Sequence, residues 1–160
     1  MRIIVDGPDG AGKTTIVEQL ADHYGCDIIH MTEKGSKAFK DYIAKAHLDN
    51  VVSDRSFLSE AVYSNVFNRK SNLDKGDVNK LCEYYRMFDW KIIILDASPQ
   101  VLANRLNLRG NEDDYKIQNI AKLRNRYLQI AGLFDIPVID TETATIDDII
   151  KKLEENNETY

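Results

Sequence analysis

Several residue types are scarce in this sequence, and each scarcity removes a class of protein. Only two cysteines, Cys26 and Cys82, occur in 160 residues. Two thiols so far apart form neither a disulfide framework nor a metal knuckle, so a reduced, cytoplasmic protein is expected. The three histidines, His23, His30 and His47, lack the spacing of a metal site and read as structural. With three prolines and eight glycines, no linker, low-complexity tract or internal repeat divides the chain. One domain over 1–160 is therefore expected. No basic-then-apolar leader precedes Ile3, and no apolar run approaches the ~20 residues that span a bilayer. Basic residues are also short: 21 Lys and Arg stand against 26 Asp and Glu, a net charge of −5. That balance gives no general attraction to nucleic acid or to an anionic membrane surface.

What is present is concentrated near the start. Gly7-Pro8-Asp9-Gly10-Ala11-Gly12-Lys13-Thr14 fits G-x-x-x-x-G-K-[ST] at every fixed position. Arg2 to Asp6 before it is short, apolar and β-branched, the pattern of a buried parallel strand. After it, Ile16, Val17, Leu20 and Tyr24 recur at helical spacing, and Gly25 is a C-terminal stop. Strand, glycine turn and helix start together make an anion cradle. Successive N–H groups converge on a phosphate, and the helix N-terminus adds partial positive charge. Gly7, Gly10, Ala11, Gly12, Lys13, Thr14 and Thr15 are the candidate contacts for ATP. Lys13 would reach the β- and γ-phosphates, and Thr14 would ligate Mg²⁺.

The rest of the chain alternates strands and helices. Cys26–Met31 reads as a second strand and Thr32–Ser36 as a polar loop. Lys37–Leu48 reads as a weakly amphipathic helix with Phe39, Ile43 and either Ala46 or His47 on one face. Asn50–Ser53 is the third strand, and Ser56 is positioned to cap the next helix, which carries Leu58, Ala61, Val62 and Val66. Residues 67–76 read as loop and Asp77–Phe88 as helix. Lys91–Asp96 is the clearest buried strand. Ser98 and Pro99 look like the N-cap and first turn of a helix that places Arg105 and Arg109 one turn apart. A helix from Tyr115 to Ala131 with Ile117, Ile120, Leu123, Tyr127 and Ile130 inside, a strand over Pro137–Asp140, and a Thr145–Asp148 capping box opening a terminal helix complete the chain. Five strands alternating with helices predict an α/β, three-layer P-loop NTPase fold: a five-stranded parallel sheet flanked by helices.

Beyond the cradle the chain resembles a known family. Asp54-Arg55-Ser56-Phe57-Leu58-Ser59-Glu60-Ala61-Val62-Tyr63 looks like the thymidylate kinase stretch D-R-Y-x-x-S-x-x-A-Y, with the alanine one place early. Leu95-Asp96-Ala97-Ser98-Pro99 with Arg105 and Arg109-Gly110 is similar to that family's strand, helix and lid, the lid falling around 105–116. Val138-Ile139-Asp140-Thr141 lies where its adenine-side loop would be. The resemblance covers nearly the whole chain in order. It implies transfer of the ATP γ-phosphoryl group to a deoxynucleoside monophosphate, with dTMP the first candidate, in the presence of Mg²⁺.

It also implies roles. Arg55 would grip the acceptor phosphate, Asp54 would hold Mg²⁺ through water or orient Arg55, and Asp9 would accept from the sugar 3′-hydroxyl. Arg105 and Arg109 would close from the lid, because position 10 is Gly and the P-loop carries no arginine. Tyr63 would line the sugar and base pocket, with Phe67 or Phe39 against the base. Thr141 would sit on the adenine side. The family's R-E-P-G-G-T loop is represented only by Thr32-Glu33-Lys34-Gly35-Ser36, so Lys34 is its one substitute cation. Relatives commonly pair through flanking helices, so a homodimer is an expectation.

Alternatives stand beside these readings. D-R-S is close to the E-R-S of deoxynucleoside kinases, where the acidic residue is a base for a 5′-hydroxyl, on a free nucleoside or on a modified base in DNA. A nucleotide-dependent switch without an acceptor is the third reading. A strand-end Asp-Arg pair also serves as a structural ion pair, paired arginines as a solvated helix face, and Tyr63 as plain core.

Overall fold

A computed structural model describes residues 1–31, 38–110 and 114–155. Five strands form one all-parallel sheet: β1 (Arg2–Asp6), β2 (Asp27–His30), β3 (Val51–Asp54), β4 (Lys91–Asp96) and β5 (Val138–Asp140). Their spatial order is β2-β3-β1-β4-β5. The central strands are the unbroken aliphatic runs, with Ile3, Ile4, Val5, Ile94 and Leu95 inaccessible to solvent. Strands covered on both faces need such runs. The edge strand β2 instead leaves Asp27, Ile28 and His30 exposed.

The helices are α1 (Lys13–Tyr24), α2 (Phe39–Ala46), α3 (Phe57–Val66), α4 (Lys75–Met87), α5 (Pro99–Arg109), α6 (Asp114–Gln118), α7 (Ile120–Phe134) and α8 (Ile146–Glu155). Right-handed crossovers put α1 on one face, where α8 packs against it, and the connections running the other way on the opposite face. There α3 packs on α4 and α7, and α2 on α4. The chain reverses direction at β1, so the rim beyond β1 and its neighbours is where a ligand site forms in such sheets. Among the described residues, buried polar side chains gather on that rim: Asp6, Asp9, Lys13, Ser53, Ser56, Ser59 and Asp96.

Several local expectations hold. Ser56 caps α3 by accepting from the Leu58 N–H at 3.1 Å. The Asp148 N–H donates to Thr145 Oγ1 at 3.3 Å, while Thr145 N–H donates to Asp148 Oδ2 at 2.8 Å. Others are corrected. Ser98 is the N-cap of α5 and Pro99 lies in its first turn, as expected, but the Ser98 side chain makes no capping bond; its N–H donates to Glu142 Oε2 at 2.7 Å in the loop after β5. The expected helix over Tyr115–Ala131 is two helices, because Asn119 leaves helical geometry and its amide donates to the Tyr115 carbonyl at 2.8 Å. In α2 the buried residues are Tyr42 and Ala46, with Phe39 and Ile43 half-buried, because Tyr42 faces Phe57 at 6.0 Å. Helix α4 starts two residues early, where Asp74 accepts from the Asp77 N–H at 2.8 Å. No described helix is long and apolar enough to cross a membrane.

Candidate active site

The cradle forms directly at the end of β1. Gly7, Gly10 and Gly12 have φ of 141°, 85° and 88°, conformations that L side chains rarely adopt. Two of them are also packed closely. A Cβ on Gly7 would stand 2.4 Å from the Leu95 carbonyl oxygen, and one on Gly10 would stand 2.9 Å from that of Leu102. Helix α1 opens at Lys13, so the exposed Thr14 and Thr15 occupy its first turn. The Lys13 ammonium donates to the carbonyls of Gly7 and Pro8 at 2.9 and 2.8 Å. Burial, aided by the Arg55 charge, lowers the Lys13 pKa to about 7 against the pull of Asp9, Asp6 and Asp54.

Asp9, Gly10, Gly12, Lys13, Thr14, Asp54, Arg55 and Arg109 line one open cleft. The expected site residues of the P-loop and of the Asp54-Arg55 turn therefore meet. Arg55 follows β3 with φ 71°, an uncommon conformation for a non-glycine residue. Two bonds hold it there: its N–H donates to the Val5 carbonyl at 3.0 Å, and its carbonyl accepts from Ser53 Oγ at 2.8 Å. Backbone strain of this kind persists only where the surroundings over-determine it. The result aims the guanidinium into the cleft, where Nη2 donates to Asp9 Oδ1 and Nη1 reaches Ser59 Oγ at 3.4 Å. The same guanidinium lies over the Tyr63 ring at 5.3 Å.

Asp9 is buried and collects positive charge. Burial would raise its carboxyl, but Arg55, Lys13, the Tyr63 hydroxyl and Lys116 outweigh it and hold the pKa at about 2. Lys116, on α6, stands 3.5 Å from Asp9 Oδ2. Beside this pair runs an aromatic wall. Tyr63 and Phe67 have ring centroids 5.9 Å apart, Phe67 and Tyr115 5.3 Å, and the Arg69 guanidinium sits 5.0 Å from the Phe67 ring. Phe39 lies elsewhere, partly buried against the core at the start of α2.

Asp54 ends β3 in register with His30, whose Nδ1 is 3.6 Å from Asp54 Oδ2. Asp54 Oδ1 is buried and has no hydrogen-bond partner among the described residues. Arg105 and Arg109 part company. Arg105 donates to the Gly10 carbonyl at 3.1 Å and to Thr141 Oγ1 at 3.0 Å, which ties α5 and the loop after β5 to the cradle. Thr141 in turn donates to the Asp96 carbonyl at 3.0 Å. Arg109 is exposed at the cleft's border. Lys34 lies outside the described residues.

Sequence reasoning missed several members. Asp6, Lys116 and the Arg124–Asp96 pair, whose two bonds are each 2.8 Å, received no role. Tyr127 read only as core, yet its hydroxyl donates to Asp6 Oδ1 at 2.8 Å. The available signal was an acidic residue ending an apolar strand directly before the first P-loop glycine.

Known proteins share this fold. The SPbeta prophage-derived uncharacterized protein YorR of Bacillus subtilis is 29% identical over 159 residues, covering 94% of this chain and 95% of its own. The crystal structure of YorR in complex with phosphorylated GDP superposes with a TM-score of 0.81 at 26% identity, over 99% of this chain and 96% of that one. A putative adenylate kinase of Methanocaldococcus jannaschii is 32% identical over 75% of this chain and 65% of its own. A probable thymidylate kinase 1 of Saccharolobus solfataricus is 22% identical over 96% of this chain and 97% of its own. The fold is thus that of the P-loop kinases, and a family model described as an AAA domain matches residues 3–131, so the chain belongs to that family.

Proposed function

We propose that the chain is an ATP-dependent nucleoside monophosphate kinase whose acceptor is a deoxynucleoside monophosphate, dTMP being the first candidate. The observation that carries this reading is Arg55, held in a strained backbone conformation so that its guanidinium enters the same cleft as Lys13. A donor site alone does not need a second, half-buried cation there. A guanidinium fork matches the oxygens of a monophosphate, and phosphoryl transfer depends on charge neutralisation and in-line positioning. In the reaction an acceptor phosphate oxygen forms a bond to the γ-phosphorus, the bond from that phosphorus to the β–γ bridging oxygen breaks, and ADP leaves.

The parts divide accordingly. The cradle N–H groups and Lys13 hold the donor phosphates, Lys13 exchanging the carbonyls of Gly7 and Pro8 for phosphate oxygens. Arg55 binds the acceptor phosphate, Asp9 receives the sugar hydroxyl, and Tyr63 with Phe67 forms the wall for sugar and base. Arg109 at the cleft border and α6, through Lys116, close over the site as its lid and exclude water. Arg105 holds the cradle and Thr141 in register on the adenine side. Thr14, at the helix start, and Asp54, with a buried oxygen lacking a hydrogen-bond partner, fit a divalent cation. Bound there, Mg²⁺ would supply neutralisation of the phosphate charge.

Similarity to a thymidylate kinase, an adenylate kinase and a protein crystallised with phosphorylated GDP supports the reaction class more firmly than the base. ADP production should therefore be measured with ATP and Mg²⁺ against dTMP, dUMP, dAMP, dGMP, GMP and the parent nucleosides, with Arg55→Ala in parallel. Turnover on a monophosphate, lost in the variant, is expected. A second reading rests on Asp54 as a lining residue of the cleft, where its carboxylate would take a proton from a 5′-hydroxyl. Turnover on a nucleoside and on no monophosphate would replace the first reading with the second.

A further inference from the structure

Asp6 ends β1, is inaccessible to solvent, and still carries a full set of partners. Its Oδ1 accepts from the Gly7 N–H at 2.9 Å, Ser59 Oγ at 2.6 Å and the Tyr127 hydroxyl at 2.8 Å. Its Oδ2 accepts from Ser56 Oγ at 2.7 Å. A buried carboxylate is costly unless such donors satisfy it, and a hydrophobic residue would fill the place more cheaply if packing were all that mattered. The four donors are not neighbours of convenience. Gly7 begins the cradle, Ser56 caps α3, Ser59 lies one turn on, and Tyr127 comes from α7.

Ser59 is the informative member. Its hydroxyl has one proton, and a carboxylate can only accept, so that proton points to Asp6. The Ser59 lone pairs are then left for Arg55 Nη1 at 3.4 Å, since the Tyr127 hydroxyl, 2.9 Å away, gives its one proton to the same carboxylate. We propose that Asp6 is a positioning residue for phosphoryl transfer: by fixing the direction of the Ser59 hydroxyl it aims Arg55 at the acceptor, and through Gly7 it ties the cradle to the same frame. This rests on the reading that Arg55 serves the acceptor. The negative charge of Asp6 has a second effect in the same direction, since it is one of the carboxylates that oppose the loss of the Lys13 proton.

An isosteric Asp6→Asn change tests the polarity argument. Its amide nitrogen can donate to Ser59, turning the hydroxyl proton toward Arg55, where donor would face donor. Ser59→Ala and Tyr127→Phe remove single donors and keep the carboxylate. Tyr85→Phe is the control, because it loses a buried hydroxyl bonded at 2.8 Å to the Tyr42 carbonyl, away from the cleft. Two readouts are taken: the Arg55 side-chain ¹⁵Nε–¹H resonance of the unliganded protein, assigned with Arg55→Lys, and KM for acceptor and donor separately. Asp6→Asn and Ser59→Ala should shift the Arg55 resonance and raise acceptor KM about tenfold, and Ser59→Ala should leave donor KM within about twofold. Tyr85→Phe should move neither readout. If Ser59→Ala and Tyr127→Phe leave both readouts at the control's level, Asp6 is only structural and the proposal is wrong. Those two variants decide the matter even if Asp6→Asn does not fold. If native protein turns over no monophosphate, the reading of Arg55 fails, while its resonance still reports whether the network positions it.

Discussion

The two halves of the cleft are built from different materials. The P-loop half is one stretch of chain, Gly7 to Thr15, and it presents mostly backbone: three positive-φ glycines and a helix start. The Arg55 half is assembled from side chains that come from the P-loop, the turn after β3, and helices α3, α6 and α7, held by the contacts of Asp9, Arg55, Ser59, Lys116 and Tyr127. Backbone geometry has few solutions and does not titrate. A side-chain network can be retuned one residue at a time, and it is charged. On the proposed function, the common part of the chemistry would belong to the first half and the choice of acceptor to the second.

The two halves should respond differently to substitution. The largest effect is expected for Lys13→Met, about a thousandfold loss of turnover, because the developing phosphate charge loses its nearest cation. The same variant should be more stable than native protein without nucleotide, by about 4 °C in Tm. The sign follows from the lowered pKa of about 7. The folded state disfavours the charged ammonium, a cost that is full below pH 7 and is relieved as pH rises toward the ordinary lysine range. Thermal unfolding at pH 6 and pH 9 should show the gain shrinking at the higher pH.

Gly7→Ala comes next, since its Cβ would enter the Leu95 carbonyl at 2.4 Å in an unfavourable φ. A loss of about 3 kcal/mol is expected by urea unfolding. A native midpoint would mean that the backbone half is less rigid than its geometry indicates.

The Arg55 half should titrate at a lower pH than Lys13. Asp9 has its pKa lowered to about 2, so its pairing stabilises the fold above the unfolded value near 3.8 and is lost as pH falls through about 2. The stability gap between native protein and Asp9→Asn, about 2 kcal/mol at pH 7, should close between pH 4 and pH 2. The smallest effect separates the backbone of Arg55 from its charge. Arg55→Gly and Arg55→Ala both remove the guanidinium, but at φ 71° glycine should leave the protein about 1 kcal/mol more stable than alanine. Equal stabilities would show that the turn relaxes once the side chain is gone.

Legibility followed the same division. The aliphatic runs of β1 and β4 announced the central strands, and the glycine spacing announced the cradle, because each is specified within a few consecutive residues. The α6–α7 break was harder to read. Asn119 ends a helical pattern by a side-chain bond that periodicity does not register. Ser98 holds the N-cap position that its neighbours predict, but its side chain makes no capping bond, and its N–H meets Glu142, 44 residues on. Tyr127 had the spacing of a core residue and is buried as one, yet its hydroxyl completes a polar network at the rim.

The sequence by itself determined the parallel α/β sheet, the phosphate cradle, and the presence of Asp54-Arg55 at a strand end on the same rim. Local spacing suffices for these, since strand period, turn conformation and helix start are properties of adjoining residues. Tertiary structure alone decided that Arg55 pairs with Asp9, that Arg105 clamps the cradle to Thr141, and that Asp6 gathers Ser56, Ser59 and Tyr127. Those contacts join residues 36 to 121 positions apart. Which donor meets which acceptor across such distances is set by how the helices pack on the sheet, and no local pattern encodes it.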